Sequence, residues 1–323
     1  MNDYLDSILD DVFEISENST KNFNEFYDGI VRAIQNGFAK TDINVDKFFI
    51  YPIGEYDYGT TIEELIPYKI VFEYSCKKSK LTQRINYLKL RAKKKLSMKN
   101  QIIMKSMEDS TSKVFTNSEL AQLIENFIKK SDLEAMTTIK QNSVLIRIKR
   151  EEKIYDFVVI IAYKFEKEED LDIEGNNIVF KYKSQTYEMD YEKFITNLET
   201  KQEETNGIYL DMIVLYKYME FYLLLENKVN YKTLTEFNLY ENLLYNVPND
   251  LYTEDLYQTT INTLNFIYNA NPKNLITVDG GKFAKSKLEE DTFNQQRDYI
   301  KHTVTTFIKE QLEILNSEEN LEE

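Results

Sequence analysis

Apolar residues recur along this chain in two distinct periods. Between residues 21 and 38, Phe23, Phe26, Tyr27, Ile30, Ile34 and Phe38 fall at steps of three and four, which predicts an amphipathic helix. Phe48 to Gly54 is a short β-rich run closed by a glycine, and Tyr68 to Ser75 predicts a second strand. Residues 82–97 and 117–130 carry helical spacing, with Thr116 or Asn117 placed to cap the latter and Glu119 and Glu125 near its positive end or in solvent. Val144–Arg150 and Tyr155–Lys164 form a strand pair around Glu151-Glu152-Lys153. The unbroken apolar run Phe157–Ala162 marks a central strand covered on both faces. Ile178–Lys183 predicts another strand. From about residue 190 the texture becomes helical, with helices expected over 207–228, 234–247, 254–270 and 283–316.

The polar stretch KQEETNG interrupts the periodicity and places a lobe boundary near 190–206. The pattern therefore predicts an α+β chain. A mixed-sheet N-terminal lobe with an N-terminal helix spans 1–195, a helical lobe spans 196–316, and a frayed acidic tail spans 317–323.

Composition narrows the chemistry. The chain has 323 residues and a net charge of −15, which excludes a uniformly basic nucleic-acid coat. A single cysteine, Cys76, excludes a disulfide framework and a cysteine-rich zinc site. A single histidine, His302, argues against a histidine-based triad or a multi-histidine metal centre. Catalysis, if any, would run on carboxylates, lysines or a bound metal. No apolar stretch approaches the length of a membrane span and the acidic N-terminus has no basic n-region, so the expectation is a cytoplasmic protein with no membrane partner.

Charge is segregated. Tyr74 to Met107 contains no acidic residue and eleven basic ones, so the remainder carries −26 and the two together the net −15. This segment, 77–105, predicts a phosphate-binding surface for nucleic acid, with Arg91, Lys93, Lys94 and Lys95 as its candidate contacts. The same charge could instead dock on an acidic protein surface, the chain's own or a partner's.

The segment IGEYDYGTTIEELIPYKIVFEY places a strand ending in Gly54, a polar turn, and a strand opening near Tyr68. Later come LDMIVLYKYMEFYLLL, FNLYENLLYNVPNDLY and NPKNLITVDGG. In order and spacing these resemble the nucleotidyltransferase superfamily, on the branch of cyclic GMP-AMP synthase, oligoadenylate synthase and their bacterial relatives. The resemblance covers most of residues 20–310 and implies a bilobed fold. It also implies two Mg²⁺ ions, held by three carboxylates, that clamp the attacking and leaving oxygens of a nucleoside triphosphate.

A gapless alignment from Gly54 puts Glu55 at the phosphate-binding serine and Pro67 and Lys69 at two of the metal carboxylates. Asp156, in YDFVV, fits the third carboxylate, Lys217 fits the phosphate-contacting lysine, and Phe237 falls where a later serine is expected. Gly54 and Lys217 are then the nucleotide-binding candidates, and no metal, cofactor or catalytic residue is expected. Three functions fit: a degenerate nucleotidyltransferase-like module that binds nucleotide, nucleic acid or a protein partner; an active Mg-dependent enzyme with rewired carboxylates drawn from Glu63, Glu64 or Glu73; and a structural subunit of a larger assembly. The lost carboxylates favour the first.

Overall fold

The computed structural model describes residues 1–41, 48–54, 67–77, 80–82, 114–140, 143–166, 177–182, 185–229, 237–284 and 286–322. The chain divides into two compact units. One comprises Asn22–Ile53 and Pro67–Asp190, the other Met1–Lys21, Gly54–Ile66 and Tyr191–Glu323.

The first unit is organised by one mixed sheet. Its strands are β1 (Phe48–Ile53), β2 (Tyr68–Cys76), β3 (Ala135–Lys140), β4 (Ser143–Arg150), β5 (Lys153–Phe165), β6 (Ile178–Tyr182) and β7 (Gln185–Met189). They run in the order β1-β2-β5-β4-β3, with β6 pairing β5 and β7 pairing β6. Only β2 and β5 are parallel, in the register Tyr68↔Phe157 to Cys76↔Phe165.

Because side chains alternate across a pleated sheet, β2 sorts into two sets. Tyr68 and Phe72 share a face with Phe157 and Phe48, and this face packs on the C-terminal half of helix α1 (Asn2–Ala39). Phe23 meets Tyr68 and Phe157, and Phe38 meets Phe48 and Phe72, at ring separations of 4.7 to 5.7 Å. Helix α2 (Asn117–Lys129) adds Phe127, edge-on to Phe38. Thr116 is its cap: it accepts from the Glu119 amide while its own amide donates to the Glu119 carboxylate, a reciprocal box. The other face carries Lys69, Val71 and Glu73 on β2 and Asp156, Val158 and Ile160 on β5.

Several expectations needed revision. Helix α1 starts at Asn2, since Leu5, Ile8, Leu9 and Val12 extend its buried stripe into the acidic N-terminus. Strands β3 and β7 were absent from the pattern-based reading. In β3, Met136, Thr138 and Lys140 are exposed and their alternates only half-buried, so this edge strand has little apolar signal. The KQEETNG break is shorter than expected: α3 (Tyr191–Glu204) runs through most of it, and the chain turns only at Gly207, with φ of 94°. Helix α7 (Lys287–Glu322) extends into the residues of the acidic tail. The helix expected over 82–97 lies outside the described residues apart from its first.

The second unit surrounds α4 (Ile208–Leu225), which is apolar on every side and correspondingly buried. Around it lie α5 (Leu239–Tyr245), α6 (Leu256–Asn269) and α7. The N-terminal end of α1 belongs here too, and Asn2 Oδ1 accepts from the Leu256 amide at 2.7 Å.

Candidate functional site

Gly54 follows β1 with φ of 87°, a left-handed conformation that favours glycine. Its neighbour Ile53 pairs with Lys69 at the start of β2. Parallel pairing places Lys69 beside Val158, and Asp156 two residues earlier on the same face of β5. The sheet therefore brings Lys69 and Asp156 to one strand end on one face, with Pro67 directly before β2. This is the geometry in which a carboxylate at either β2 position could meet Asp156.

The charges there are satisfied within the protein. The β4–β5 hairpin turns through Glu151-Glu152, with Glu151 at φ of 55°, and sets Arg147 opposite Asp156. Arg147 Nε donates to Asp156 Oδ1 and Nη2 to Oδ2, each at 2.7 Å, a two-pronged ion pair. The hydrogen bonds from Arg147 to Asp156, and then the carboxylate's charge, raise the guanidinium further above its already high pKa. Lys69 is only 3% exposed, and its ammonium lies 5.9 Å from the centre of the Tyr182 ring.

Glu73 does not converge on this position. It pairs with Ala162, six residues along β5 from Asp156, or about 20 Å at the rise of a strand. Its carboxylate accepts from Tyr51 Oη at 2.9 Å, and burial, then the Glu73 charge, pushes that phenol up. Among the described residues no three His, Cys, Asp or Glu side chains cluster as a metal site. Glu55, Glu63, Glu64 and the basic candidates Arg91, Lys93, Lys94 and Lys95 lie outside the described residues; of segment 77–105, Lys77 and Lys80 are described.

In the helical unit, Lys217 projects from the middle of α4 and is 2% exposed. Its ammonium donates to Glu241 Oε1 on α5 at 2.6 Å, in a pair whose side chains are 3% and 1% exposed. Tyr209 Oη donates to the Glu241 carbonyl at 2.8 Å. One helical turn beyond Lys217, Glu220 is fully buried and accepts from Tyr240 Oη at 2.6 Å. Burial, then the Glu220 charge, raises the Tyr299 phenol. Phe237, at the expected serine position, is a buried ring, and Asn238 caps α5 with φ of 53°. Elsewhere His302 is exposed on α7 and Cys76 is a buried thiol.

Arg147 and Glu241 were missing from the candidate set. A two-residue hairpin turn pairs Arg150 with Lys153 and hence Arg147 with Asp156, so the first was within reach of the sequence. The second had an indirect signal: a lysine within a mostly apolar, buried helix requires a buried partner.

Residues 196–311 match the family model for the cGAS/DncV-like nucleotidyltransferase C-terminal helical domain. No curated protein matches the sequence. Among solved structures, the chain is similar to the CdnE cyclic dinucleotide synthase of Elizabethkingia meningoseptica, with 16% identity, a TM-score of 0.55 and coverage of 82% of this chain and 88% of that one. The Rhodothermus marinus CdnE c-UMP-AMP synthase is similar at 15% identity and a TM-score of 0.55, covering 83% and 88%. The STING-associated CdnE c-di-GMP synthase of Capnocytophaga granulosa gives 15%, 0.56, and 91% and 83%. Residues 196–311 are thus similar to the cGAS/DncV-like nucleotidyltransferase C-terminal helical domain, and the chain as a whole shares the fold of these solved cyclic dinucleotide synthases.

Proposed function

We propose that this protein is a catalytically degenerate member of the cyclic dinucleotide synthase branch, which binds nucleotide without carrying out two-metal transfer. One observation carries this reading: at the strand end, Asp156 is clasped through both oxygens by Arg147, beside a buried Lys69. A divalent ion needs several anionic oxygens. An ammonium about 4 Å from Mg²⁺ would oppose it by roughly 8 kcal/mol at an effective dielectric of about 20. Pro67 supplies no ligand, and Glu73 sits too far along its strand to replace one. Among the described residues the donor set does not fit a pair of Mg²⁺ ions.

Nucleotide is the favoured ligand because structural neighbours include a synthase solved with GTP and Apcpp. Gly54 and Lys217 are the proposed contacts. A phosphate reaching Lys217 would compete with Glu241, which already holds the ammonium at 2.6 Å. Nucleic acid along 77–105 and a protein partner are the other proposed ligands of the same module.

The test combines chemistry with binding. Purified protein is incubated with α-labelled ATP, GTP, CTP and UTP, with Mg²⁺ or Mn²⁺, with and without RNA and DNA, and the products are separated. Nucleotide binding is measured by equilibrium dialysis with Mg²⁺ or with EDTA. The expected result is no product, and binding that is the same in both conditions. A protein-dependent product, or binding that requires Mg²⁺, would refute the reading.

A further inference from the structure

Among the described residues, β1, β3 and β7 each pair on one side only, so each is an edge of the sheet. An edge presents a row of backbone N–H and C=O groups with which another chain can pair, and proteins guard against this with proline, charge or short strands. Strand β1 carries Pro52, which has no N–H to offer. Strand β7 carries the exposed Glu188. Strand β3 has no such guard in its interior: Ala135–Lys140 contains neither proline nor glycine, and Thr137, Thr138 and Ile139 are β-branched.

The side chains of this edge are complementary to themselves. The alternation of exposed and half-buried residues begins one position before the strand, so Glu134, Met136, Thr138 and Lys140 are all exposed, and Met136 is 67% exposed. An acid thus opens the exposed row and a base closes it, with an apolar side chain between. Neither Glu134 nor Lys140 is in an ion pair among the described residues. Geometry then limits how two copies could pair. In an antiparallel pair the N–H and C=O of one residue point to the same side, and successive residues alternate sides. Outward-facing residues must meet outward-facing residues, so the two-fold axis passes through a residue and not between two. Centring it on Thr137 sets Glu134 opposite the partner's Lys140 at both ends of the ladder, Met136 opposite the partner's Thr138, and Ala135 opposite the partner's Ile139. Centring on Thr138 would instead oppose Lys140 to Met136 and lose both charge pairs. Centring on Met136 would leave only three strand residues paired within the strand.

We infer that β3 is a dimerisation edge, which pairs antiparallel with β3 of a second copy of this chain, centred on Thr137, and joins the two sheets into one. The inference does not depend on the proposed nucleotide site, which involves none of these residues.

The test is sedimentation velocity of the full-length protein from about 1 to 300 μM, in about 0.15 M salt to screen the repulsion between two acidic chains. A reversible dimer with a dissociation constant in the micromolar range is expected, since a single strand pair is a small interface. Glu134→Lys and Lys140→Glu each place like charges opposite one another at both ends, and each should weaken the dimer by about 10-fold or more. The double variant Glu134→Lys/Lys140→Glu restores opposite charges and should recover the parental affinity to within about 3-fold. The single variants shift the net charge in opposite directions, so a loss common to both reports the local pairing. Both positions are exposed, and differential scanning fluorimetry verifies that the variants melt with the parent. A parent that stays monomeric up to the highest concentration overturns the inference. So does a dimer that keeps its affinity in either single variant, as one held through segment 77–105 would, or a double variant as weak as the singles.

Discussion

Lys217→Met tests the interior of the helical unit most directly. The substitution keeps the volume of the side chain but takes the Lys217 ammonium away from the Glu241 carboxylate, which is 1% exposed. Removing one partner of a buried pair costs about 3–5 kcal/mol, because the remaining charge must either stay unpaired or take up a proton. At about 2–4 °C per kcal/mol for a domain of this size, the melting temperature should fall by roughly 6–20 °C. Lys217→Met/Glu241→Leu removes both charges and should recover most of that loss, since a well-packed apolar replacement is often neutral or stabilising. Lys217→Glu, the more obvious probe of phosphate binding, would put two carboxylates within a buried contact and report on folding rather than on ligand. The assay is chemical and thermal denaturation of the four proteins in a double-mutant cycle. Added ATP gives a second readout: if Lys217 holds phosphate, ATP raises the melting temperature of the parent but not of the double variant. A single variant as stable as the parent to within about 1 kcal/mol would refute the reasoning, because the buried Lys217–Glu241 pair would then contribute almost nothing to stability.

Other positions make narrower predictions. Asp211, in the first turn of α4, is raised from 3.8 to about 6 by burial and then by the Asp6 carboxylate. Its ionised form therefore opposes folding: the penalty is absent below about pH 4, grows as pH rises towards 6 and is complete above it. Asp211→Asn should stabilise the protein at pH 8 by about 1–2 kcal/mol after allowance for residual exposure, and by nothing near pH 4; equal effects at both would refute this. Gly37→Ala should destabilise by about 1–3 kcal/mol in urea denaturation despite alanine's helix propensity, because its Cβ overlaps Phe127 near the root of the ring, and Phe127→Leu should relieve part of the loss. Thr116→Ala should cost about 1 kcal/mol in the same assay through loss of the capping box.

The sheet's central strands were legible because their patterns are local. Phe157–Ala162 reads as buried on both faces, and it is, save for a half-exposed Val158. The Thr116 cap was legible for the same reason, as were the helices after residue 207 to within a few residues. Strand β3 was not, because an edge strand whose alternate residues face solvent has almost no apolar signal. The Lys217–Glu241 pair was half legible. An apolar helix around Lys217 implies a buried counter-charge, but which acid supplies it depends on how α5 packs, 24 residues further on. The Arg147–Asp156 pair follows from the hairpin turn, which sets Arg150 opposite Lys153 and hence Arg147 opposite Asp156.

That difference bears on how a nucleotidyltransferase fold could lose its chemistry and keep its stability. A two-metal centre concentrates negative charge and relies on the ions to neutralise it. Deleting carboxylates alone would leave Asp156 an isolated acid at a strand end, at little structural cost, since it is partly exposed. On the proposed reading the change goes further here, because Arg147 takes both of its oxygens and Lys69 stands two residues along the same face. In the helical unit Lys217 is likewise held by Glu241, and on β2 Glu73 is held by Tyr51. Each of these groups has found a partner of matching chemistry within its own unit. On the proposed reading, a site built this way has no electrostatic need for metal. Restoring activity would then take more than returning acids to positions 67 and 69: Arg147 must also release Asp156. Pro67→Asp/Lys69→Asp should therefore remain inactive with labelled triphosphates and Mg²⁺, and any gain of product would have to await the further change Arg147→Gln. Product from the double variant alone would show that Arg147 does not block the site.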